Sequence, residues 1–358
     1  MNNIFLILIG CFAVIGAIDY ILGNQWGMGD QFAEGFLCMG PTALSIVGII
    51  CIIPLLKDIL TPIVQPISSI LGFDPAMFGS LLANNMGGYT LATELAIETQ
   101  LGKFSGLIVS SMLGATLVYS IPVGLGIIKT ESHPAFAKGI MIGMITIPIG
   151  SIVGGWFMGL NIFTCLINIF PILILSIGIS IGFKLNERFI LKCFTYFSKG
   201  LNMIGILSLG LAAFQSISGI NIFHSIDDIY VGLQVVAEMS VMQLGTLPLI
   251  AILIKIFKKP LTTLGEKMGI SATATAGLIT SCINAISVFT MMNKMSEKDI
   301  MIVSSFLVSM ICIFTAHFSF TAAISVDLVI PMILAKFVSG LSAVIIAMIV
   351  CRKSFRMN

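Results

Sequence analysis

The polar residues of segment 81–94 are the first candidates for chemistry in this chain. The segment is flanked by apolar residues, yet it carries a glycine pair and several side chains that donate or accept hydrogen bonds. In a bilayer each of these groups needs a partner, and the glycines permit a break in a helix. Segment 73–94 is therefore predicted to form two short helical arms around an irregular tip, which at membrane depth indicates a cavity. The polar side chains are Asn84, Asn85, Tyr89, Thr90 and Glu94.

A second, similar segment lies at 270–293. Identical residue types recur at a nearly constant offset of 198 or 199 positions, and weak internal repetition is typical of transporters. The alternative is chance matching within an apolar chain of low complexity. The matched pairs are Pro62 and Pro260, Gly79 and Gly277, Lys138 and Lys336, Asn85 and Asn284, Thr116 and Thr315, and Ser120 and Ser319.

The composition excludes a water-soluble protein. Of 358 residues, 57% are hydrophobic and 9% are charged, and no soluble domain of this size can bury so much apolar surface. The net charge of +2 and the scattered basic residues do not suggest nucleic acid as a partner. Eight cysteines lack the spacing of a metal site, and the chain carries no hydrolytic or redox enzyme signature and no Walker motif. We expect no cofactor, no metal and no enzymatic activity, so transport is favoured.

Nine apolar segments are long enough to cross a membrane. Basic residues are expected in the cytoplasm, which puts loops 184–199 and 255–267 and the tail 352–356 inside and the acidic turn 227–228 outside. This arrangement requires both interrupted segments to return to the side from which they entered. The nine segments are 4–22, 36–56, 104–128, 136–157, 162–183, 201–223, 233–257, 300–323 and 328–351.

The predicted fold is therefore an all-α polytopic membrane protein with nine transmembrane helices and two re-entrant hairpins in two inverted repeats. Residues 1–358 form one transporter domain, in which repeat one covers about 32–158, linking helices cover about 162–223 and repeat two covers about 233–351. The first segment lacks a basic leader and a clear cleavage site, so it is predicted to remain as a helix. The amino terminus then lies outside, although no basic residue fixes its orientation.

Several isolated polar residues allow two interpretations. Glu34 precedes an apolar run and either caps that helix or balances a bound cation. His317 lies within a predicted span, where it either packs with hydrogen bonds or takes part in function. Asp19 and Asp327 are predicted to be solvated at span ends, and Lys336 is predicted to extend outward to the membrane surface.

Beyond these residues, the chain resembles the ethanolamine-utilisation permease family of bacteria over nearly its whole length. The Glu-Gly-Phe and Met-Gly-Gly stretches are fairly specific to that family. The matching stretches include Glu34-Gly35-Phe36, Met86-Gly87-Gly88, Ser120-Ile121-Pro122-Val123, Thr146-Ile147-Pro148-Ile149-Gly150, Lys259-Pro260-Leu261, His317 and Pro331-Met332.

The resemblance implies uptake of ethanolamine across the bacterial cytoplasmic membrane. Ethanolamine is an aliphatic amine and, like lysine, is mostly cationic at neutral pH. Glu34 or Glu94 would balance its ammonium, and Tyr89 or Phe318 would offer an aromatic face. The hydroxyl would be bound by asparagine side chains. The substrate-binding set is Glu34, Asn84, Asn85, Tyr89, Thr90, Glu94, Asn284, His317 and Phe318.

Two positions depart from the expected family pattern and leave the substrate open. Asn85 and Ala316 stand where aspartates are expected before Met-Gly-Gly and before the histidine. A channel-like facilitator and a non-transport membrane sensor or scaffold are the alternative functions, and the partners are a small amine, the lipid bilayer and, as an open question, a second copy of the chain. Saturable flux with counterflow would favour a carrier over a channel.

Overall fold

The structure is a computed structural model that describes residues 2–82, 87–221, 225–267 and 269–354. In these residues the regular structure is entirely helical. The α-helices are α1 (Asn2–Ile21), α2 (Gly29–Leu37), α3 (Met39–Cys51), α4 (Ile53–Leu71), α5 (Ala76–Leu82), α6 (Gly87–Leu95), α7 (Thr99–Lys103), α8 (Ile121–Ile127), α9 (His133–Phe157), α10 (Ile162–Ser218), α11 (Ile229–Lys267), α12 (Ala272–Ser281), α13 (Ala285–Met292), α14 (Glu297–Met310), α15 (Phe318–Ile324) and α16 (Val329–Ser354).

Eight helical stretches among the described residues are long and apolar enough to cross a membrane. This finding confirms a polytopic helical membrane protein, but it does not confirm the predicted count of nine. The missing member is segment 104–128, which is apolar but is not one regular α-helix. The eight stretches are Ile4–Ile21, Gly29–Cys51, Thr130–Phe157, Ile162–Asn186, Arg188–Ser218, Ile229–Phe257, Glu297–Ile324 and Val326–Arg352.

Both basic segments that were predicted as loops are mostly helical. Helix α10 runs through 184–199 and is interrupted at Asn186, where φ is −154° and ψ is 83°. The rings of Phe183 and Phe194 stack with centroids 6.4 Å apart, whereas a straight helix would separate these positions by about 16 Å. The chain therefore folds back at Asn186, and two spans are joined without a long loop. Helix α11 likewise continues through 255–267 to Lys267.

Each interrupted segment consists of two short helices, as its glycine and amide content predicted. Helices α5 and α6 form hairpin 1 and pack closely, since a Cβ added to Gly79 would lie 2.5 Å from the backbone of Ala92. Helices α12 and α13 form hairpin 2. The tip of hairpin 1, including Asn84 and Asn85, lies outside the described residues.

The base of hairpin 1 bonds to α10, which follows α9, and the base of hairpin 2 bonds to the residues just before α9. At the base of hairpin 1, Asp74 accepts hydrogen bonds from the backbone N–H groups of residues 97 and 98, and its own N–H donates to Asn168 near the start of α10. At the base of hairpin 2, Asn293 donates to the carbonyl of Ile127 and accepts from the N–H of Lys129, just before α9. Helix α9, which lies between these two regions in the chain, has 25 residues and is about 37 Å long.

Segment 104–128 is wound irregularly, with π-helical turns at Phe104–Val109 and Ala115–Ser120. The N–H of Ala115 donates to the carbonyl of Ser110, five residues back, while the N–H of Thr116 donates to Met112, four residues back. Because the hydrogen-bond spacing changes here from five residues to four, neither of these N–H groups donates to the carbonyl of Ser111. Such π-type insertions are frequent at functional sites, and this one leaves a buried acceptor that needs a donor from elsewhere.

The helical stretch Glu297–Ile324, in the second half of the chain, has a sharper break than segment 104–128. Cys312 has a φ of 46°, which is in the left-handed region, between α14 and a π-helical turn at Ile313–His317. A non-glycine residue is uncommon in this conformation. The N–H groups of Cys312 and Phe314 donate to the carbonyls of Ser281 and Cys282 at the tip of hairpin 2. Backbone N–H groups at the break after α14 are thus paired with backbone carbonyls at the tip of hairpin 2, inside the protein.

Helices α9, α14 and α16 pack tightly around these interruptions. Glycines on α9 face the two partners, because a Cβ at Gly143 would lie 2.6 Å from the carbonyl oxygen of Ser305 on α14 and one at Gly150 would lie 2.1 Å from that of Ala335 on α16. Small residues allow such close backbone approach, and they are typical of helix interfaces in membranes. This packing fixes the orientation of the buried face of α16.

Candidate functional site: a buried lysine and histidine

Lys336 lies on that face of α16 and is completely buried. Its Nζ donates to the carbonyl oxygen of Ser111 at 2.7 Å and lies 2.9 Å from Nδ1 of His317. The prediction that this side chain extends to the membrane surface was therefore wrong. The physical reason is the carbonyl that the π-helical winding leaves without a backbone donor, which gives the lysine an internal partner. We call Lys336, His317 and the Ser111 carbonyl the lysine centre.

The contact with Lys336 defines the hydrogen-bonding roles of His317. Lysine in its ammonium form only donates, so Nδ1 of the imidazole accepts and the ring proton of a neutral imidazole is on Nε2. Nε2 is buried and has no hydrogen-bond partner in the part of the chain that the structure describes. A buried polar atom without a partner is costly, so this N–H is a candidate donor to a bound solute.

The lysine centre adjoins the tip of hairpin 2. Cys282 and Cys312, from the tip and from the break after α14, are close enough to interact electrostatically with Lys336. On the other side, the hydroxyl of Ser339, one turn after Lys336, lies 2.5 Å from the hydroxyl of Ser309 and 3.2 Å from that of Thr146. Polar groups of α9, α14 and α16 thus meet within the apolar core.

A cavity of about 420 Å³ lies between α11, hairpin 2 and α16. Its wall is almost entirely hydrocarbon, so it offers no counter-charge for an ammonium and few partners for a hydroxyl. This cavity is therefore a poorer candidate for binding a polar amine than the lysine centre. The lining residues include Ile254, Phe257, Leu278, Cys282, Phe314 and Phe337.

Asn284 is the N-cap residue of α13. Its side-chain oxygen accepts a hydrogen bond of 3.1 Å from the N–H of Ser287 at the start of α13, and the residue is exposed. The tip that it terminates is held by the neighbouring broken element, since the hydroxyl of Thr315 donates to the carbonyl of Ile283 at 3.0 Å. Asn284 therefore belongs to a tip that contacts the break before His317.

Hairpin 1 places its candidate residues in two environments. Tyr89 is half-buried and its ring meets the edge of Phe320, with centroids 5.9 Å apart. Phe320 lies one helical turn after His317, so Tyr89 approaches the lysine centre from hairpin 1. Thr90 is half-buried, and its carbonyl accepts from the Thr93 hydroxyl.

Glu94 lies at the exposed end of α6. It forms an ion pair of 2.7 Å with Lys57, in which both side chains are nearly half exposed. Glu94 also contributes to the raised pKa of Asp227, although partial burial of that carboxyl is the larger cause. These three charged residues mark one end of the molecule. An acid already paired there is a weaker candidate for the substrate ammonium than the sequence suggested.

Glu34 and Phe318 have separate surroundings. Glu34 lies inside α2 and is exposed, and it accepts a hydrogen bond of 3.2 Å from Cys38. The interpretation of Glu34 as a helix cap was wrong, because Met28 occupies the cap position of α2 and Cys38 that of α3. Phe318 is buried against Phe5 of α1, with ring centroids 5.5 Å apart, so that ring is already covered.

Asp19 is an acid whose role the sequence did not indicate. It is fully buried rather than solvated, and it accepts hydrogen bonds of 2.7 to 2.8 Å from the N–H groups of Trp26, Met28 and Gly29. An anion at the start of a helix is stabilised by the unpaired N–H groups and the helix dipole. Asp19 therefore anchors the turn between α1 and α2. The glycine-rich turn after it was the only available signal.

Comparison with known proteins places this architecture in a family. The family model described as "Ethanolamine utilisation protein, EutH" matches residues 1–350. The chain is 39% identical to the probable ethanolamine permease EutH of Listeria monocytogenes over 359 residues, covering 100% of this chain and 96% of the relative. It is 37% identical to the uncharacterized protein YxeR of Bacillus subtilis over 345 residues, covering 96% and 93%.

A third relative is the probable ethanolamine permease EutH of Salmonella typhimurium. It is 33% identical over 394 aligned positions, covering 99% of this chain and 96% of the relative. No solved structure matches the chain significantly. The match to the family model and the full-length relatives agree, and the chain belongs to the EutH family of ethanolamine utilisation proteins.

Proposed function

We propose that this protein carries ethanolamine across the bacterial cytoplasmic membrane. Family membership supports a membrane transporter, and two relatives are named as probable ethanolamine permeases. The observation that carries the proposal is the lysine centre, where a π-wound element and a broken element meet in the packed core. Irregular backbone at membrane depth is tolerated where it is buried in protein or lines a cavity, and transporters bind substrates at such interruptions.

The proposed substrate position lies beside Nε2 of His317. That buried N–H has no partner among the described residues, and the hydroxyl oxygen of ethanolamine is an acceptor of the right kind. The ammonium then lies towards Tyr89, whose ring provides a cation–π contact of about 0.5 to 2 kcal/mol. Asn84 and Asn85 at the tip of hairpin 1 and Asn284 at the tip of hairpin 2 remain proposed contributors, as do the more distant Glu34 and Glu94.

The two hairpins are proposed to be re-entrant from opposite sides, within inverted repeats. The base of hairpin 1 bonds through Asp74 to the first part of α10, after α9, and the base of hairpin 2 bonds through Asn293 to the segment before α9, which supports this arrangement. The contact of 2.6 Å between Lys255 and the carbonyl of Trp26 brings the turn after α1 to the basic end of α11. Both groups are then cytoplasmic, and Asp227 is outside.

The transport proposal is tested by uptake of labelled ethanolamine into proteoliposomes. Protein-free liposomes measure passive entry of the neutral amine and serve as the control. We expect saturable uptake and counterflow when unlabelled ethanolamine is loaded inside. Non-saturable flux without counterflow would support a channel-like facilitator, and flux equal to that of protein-free liposomes would contradict transport of this substrate.

The orientation is tested separately with single cysteines on a background that lacks the eight native ones. An impermeant thiol reagent added to intact cells should label a cysteine at position 227 but not one at position 188 until the cells are opened. Labelling of position 188 in intact cells would contradict the proposed topology.

A further inference from the structure

In its ammonium form, Lys336 has no anionic partner among the described residues. The contacts of the Lys336 ammonium among the described residues are a carbonyl and an imidazole, not a carboxylate. The titratable groups that face it are His317 and Cys312 from the broken element and Cys282 from hairpin 2, with Tyr119 of the π-wound element beside Cys312. Neutral partners reduce the cost of burying an ammonium, but they do not balance its charge.

A bound amine would add a second positive charge next to the first. If its hydroxyl accepts from Nε2 of His317, the substrate ammonium lies about 8 to 10 Å from Lys336, on the other side of one imidazole ring. Two like charges at that distance still repel by about 2 kcal/mol at the effective dielectric of a protein interior. A group that can lose its charge relieves this repulsion, because a like charge nearby disfavours the protonated form of an amine.

We propose that Lys336 is the proton-exchange group of this transporter. When the cationic amine binds, one N–H bond of the Lys336 ammonium breaks, the bonding electrons remain on Nζ and the proton leaves to water. When the amine dissociates, Nζ takes up a proton from water and the original state returns. The protein thus carries either the substrate charge or the proton, and this role rests on the proposed transport of an amine.

The arrangement assigns this role to Lys336 and not to its counterpart Lys138. The two lysines are 198 positions apart in the repeat pattern, but Lys138 is exposed on α9 whereas Lys336 is fully buried. An exposed lysine keeps its hydration in both states of the site. Lys138 therefore provides a matched control for a charge change in the other half of the chain.

The decisive experiment is isothermal titration calorimetry of ethanolamine binding to the purified full-length wild-type protein. Binding is measured between pH 6 and pH 8 in buffers with different ionisation enthalpies, which gives the number of protons released. The substrate, like lysine, stays cationic in this range. We expect release of up to one proton per ethanolamine, and an apparent Kd that weakens by up to about tenfold for each pH unit of acidification.

Variants test whether Lys336 supplies this proton. Lys336→Met should release no proton and bind with a Kd that does not depend on pH, whereas Lys138→Met should behave as the wild type. Lys336→Arg keeps its charge at all these pH values, so it should bind at least about tenfold more weakly than the wild type at pH 8. Thermal unfolding in detergent identifies variants that are not folded.

The results distinguish failure of the proton-exchange role from failure of the transport proposal. Ethanolamine binding by the wild type without proton release between pH 6 and pH 8 overturns the exchange role and leaves the transport proposal intact. Proton release that persists in folded Lys336→Met also overturns the role of Lys336. A wild type that binds no ethanolamine overturns both. If Lys336→Met does not fold, the wild-type proton count and Lys336→Arg decide.

Discussion

The Nζ atom of Lys336 lies 2.9 Å from Nδ1 of His317, and the two residues come from different elements, α16 and the π-helical turn before α15. The other imidazole nitrogen, Nε2, is buried and has no hydrogen-bond partner among the described residues. The pair therefore combines an amine that has two hydrogen-bond partners with an imidazole nitrogen that has none among the described residues. This division underlies the expected selectivity for a hydroxylated amine.

His317 is expected to distinguish ethanolamine from ethylamine, which lacks the hydroxyl. Substitution His317→Leu removes the donor, and a neutral hydrogen bond contributes about 0.5 to 1.5 kcal/mol, so the preference for ethanolamine should fall by about twofold to about thirteenfold. Competition of each amine with labelled ethanolamine uptake measures the preference. His133→Leu, outside the lysine centre, should keep the wild-type ratio, and an unchanged ratio in His317→Leu would exclude recognition of the hydroxyl by this residue.

Asp19 is expected to contribute to stability rather than to binding. Its carboxylate accepts three backbone hydrogen bonds at the turn before α2, and Asp19→Asn replaces one acceptor oxygen with a donor. Hydrogen bonds to charged groups contribute about 1.5 to 3 kcal/mol, so the Tm in detergent should fall by several degrees. Asp58→Asn, at an exposed position on α4, is the control and should change Tm little. A similar Tm for both variants would contradict the anchoring role.

The interrupted segments were predictable from the sequence because glycines and amides within apolar runs leave few regular alternatives. The lysine centre was not predictable, because Lys336 meets a carbonyl 225 positions away in the chain. That carbonyl is available only through the π-helical winding around Ser111, and no proline or charged residue marks this winding. A lysine within an apolar run is usually explained by extension to the surface. Asp19 escaped prediction for a different reason, because its partners are backbone N–H groups, which no side chain marks.

The stability of the fold should depend on pH through the ionisation of Asp227. Partial burial, and next the charge of Glu94, raise the pKa of this carboxyl above its ordinary value. Because the folded protein then holds the proton more tightly than the unfolded chain, ionisation of Asp227 destabilises the fold as pH rises through the raised pKa. Asp227→Asn should therefore increase Tm slightly at pH 7, and the gain should vanish as the pH approaches the ordinary value for aspartate. A larger gain at acid pH would contradict this sign.

Gly106 is expected to be essential for the position of Tyr89. A Cβ at Gly106 would lie 2.5 Å from the Cα of Tyr89, and backbone atoms at that distance must move apart. Overpacking of this kind costs about 1 to 3 kcal/mol, so Gly106→Ala should lower Tm and displace the second arm of hairpin 1 from Phe320. Ethanolamine uptake should fall as well, because Tyr89 is proposed to contact the substrate ammonium. Gly126→Ala is the matched control, since a Cβ there meets no atom within 4 Å. Equal uptake and equal Tm in the two variants would mean that hairpin 1 does not pack on the π-wound element in the way described.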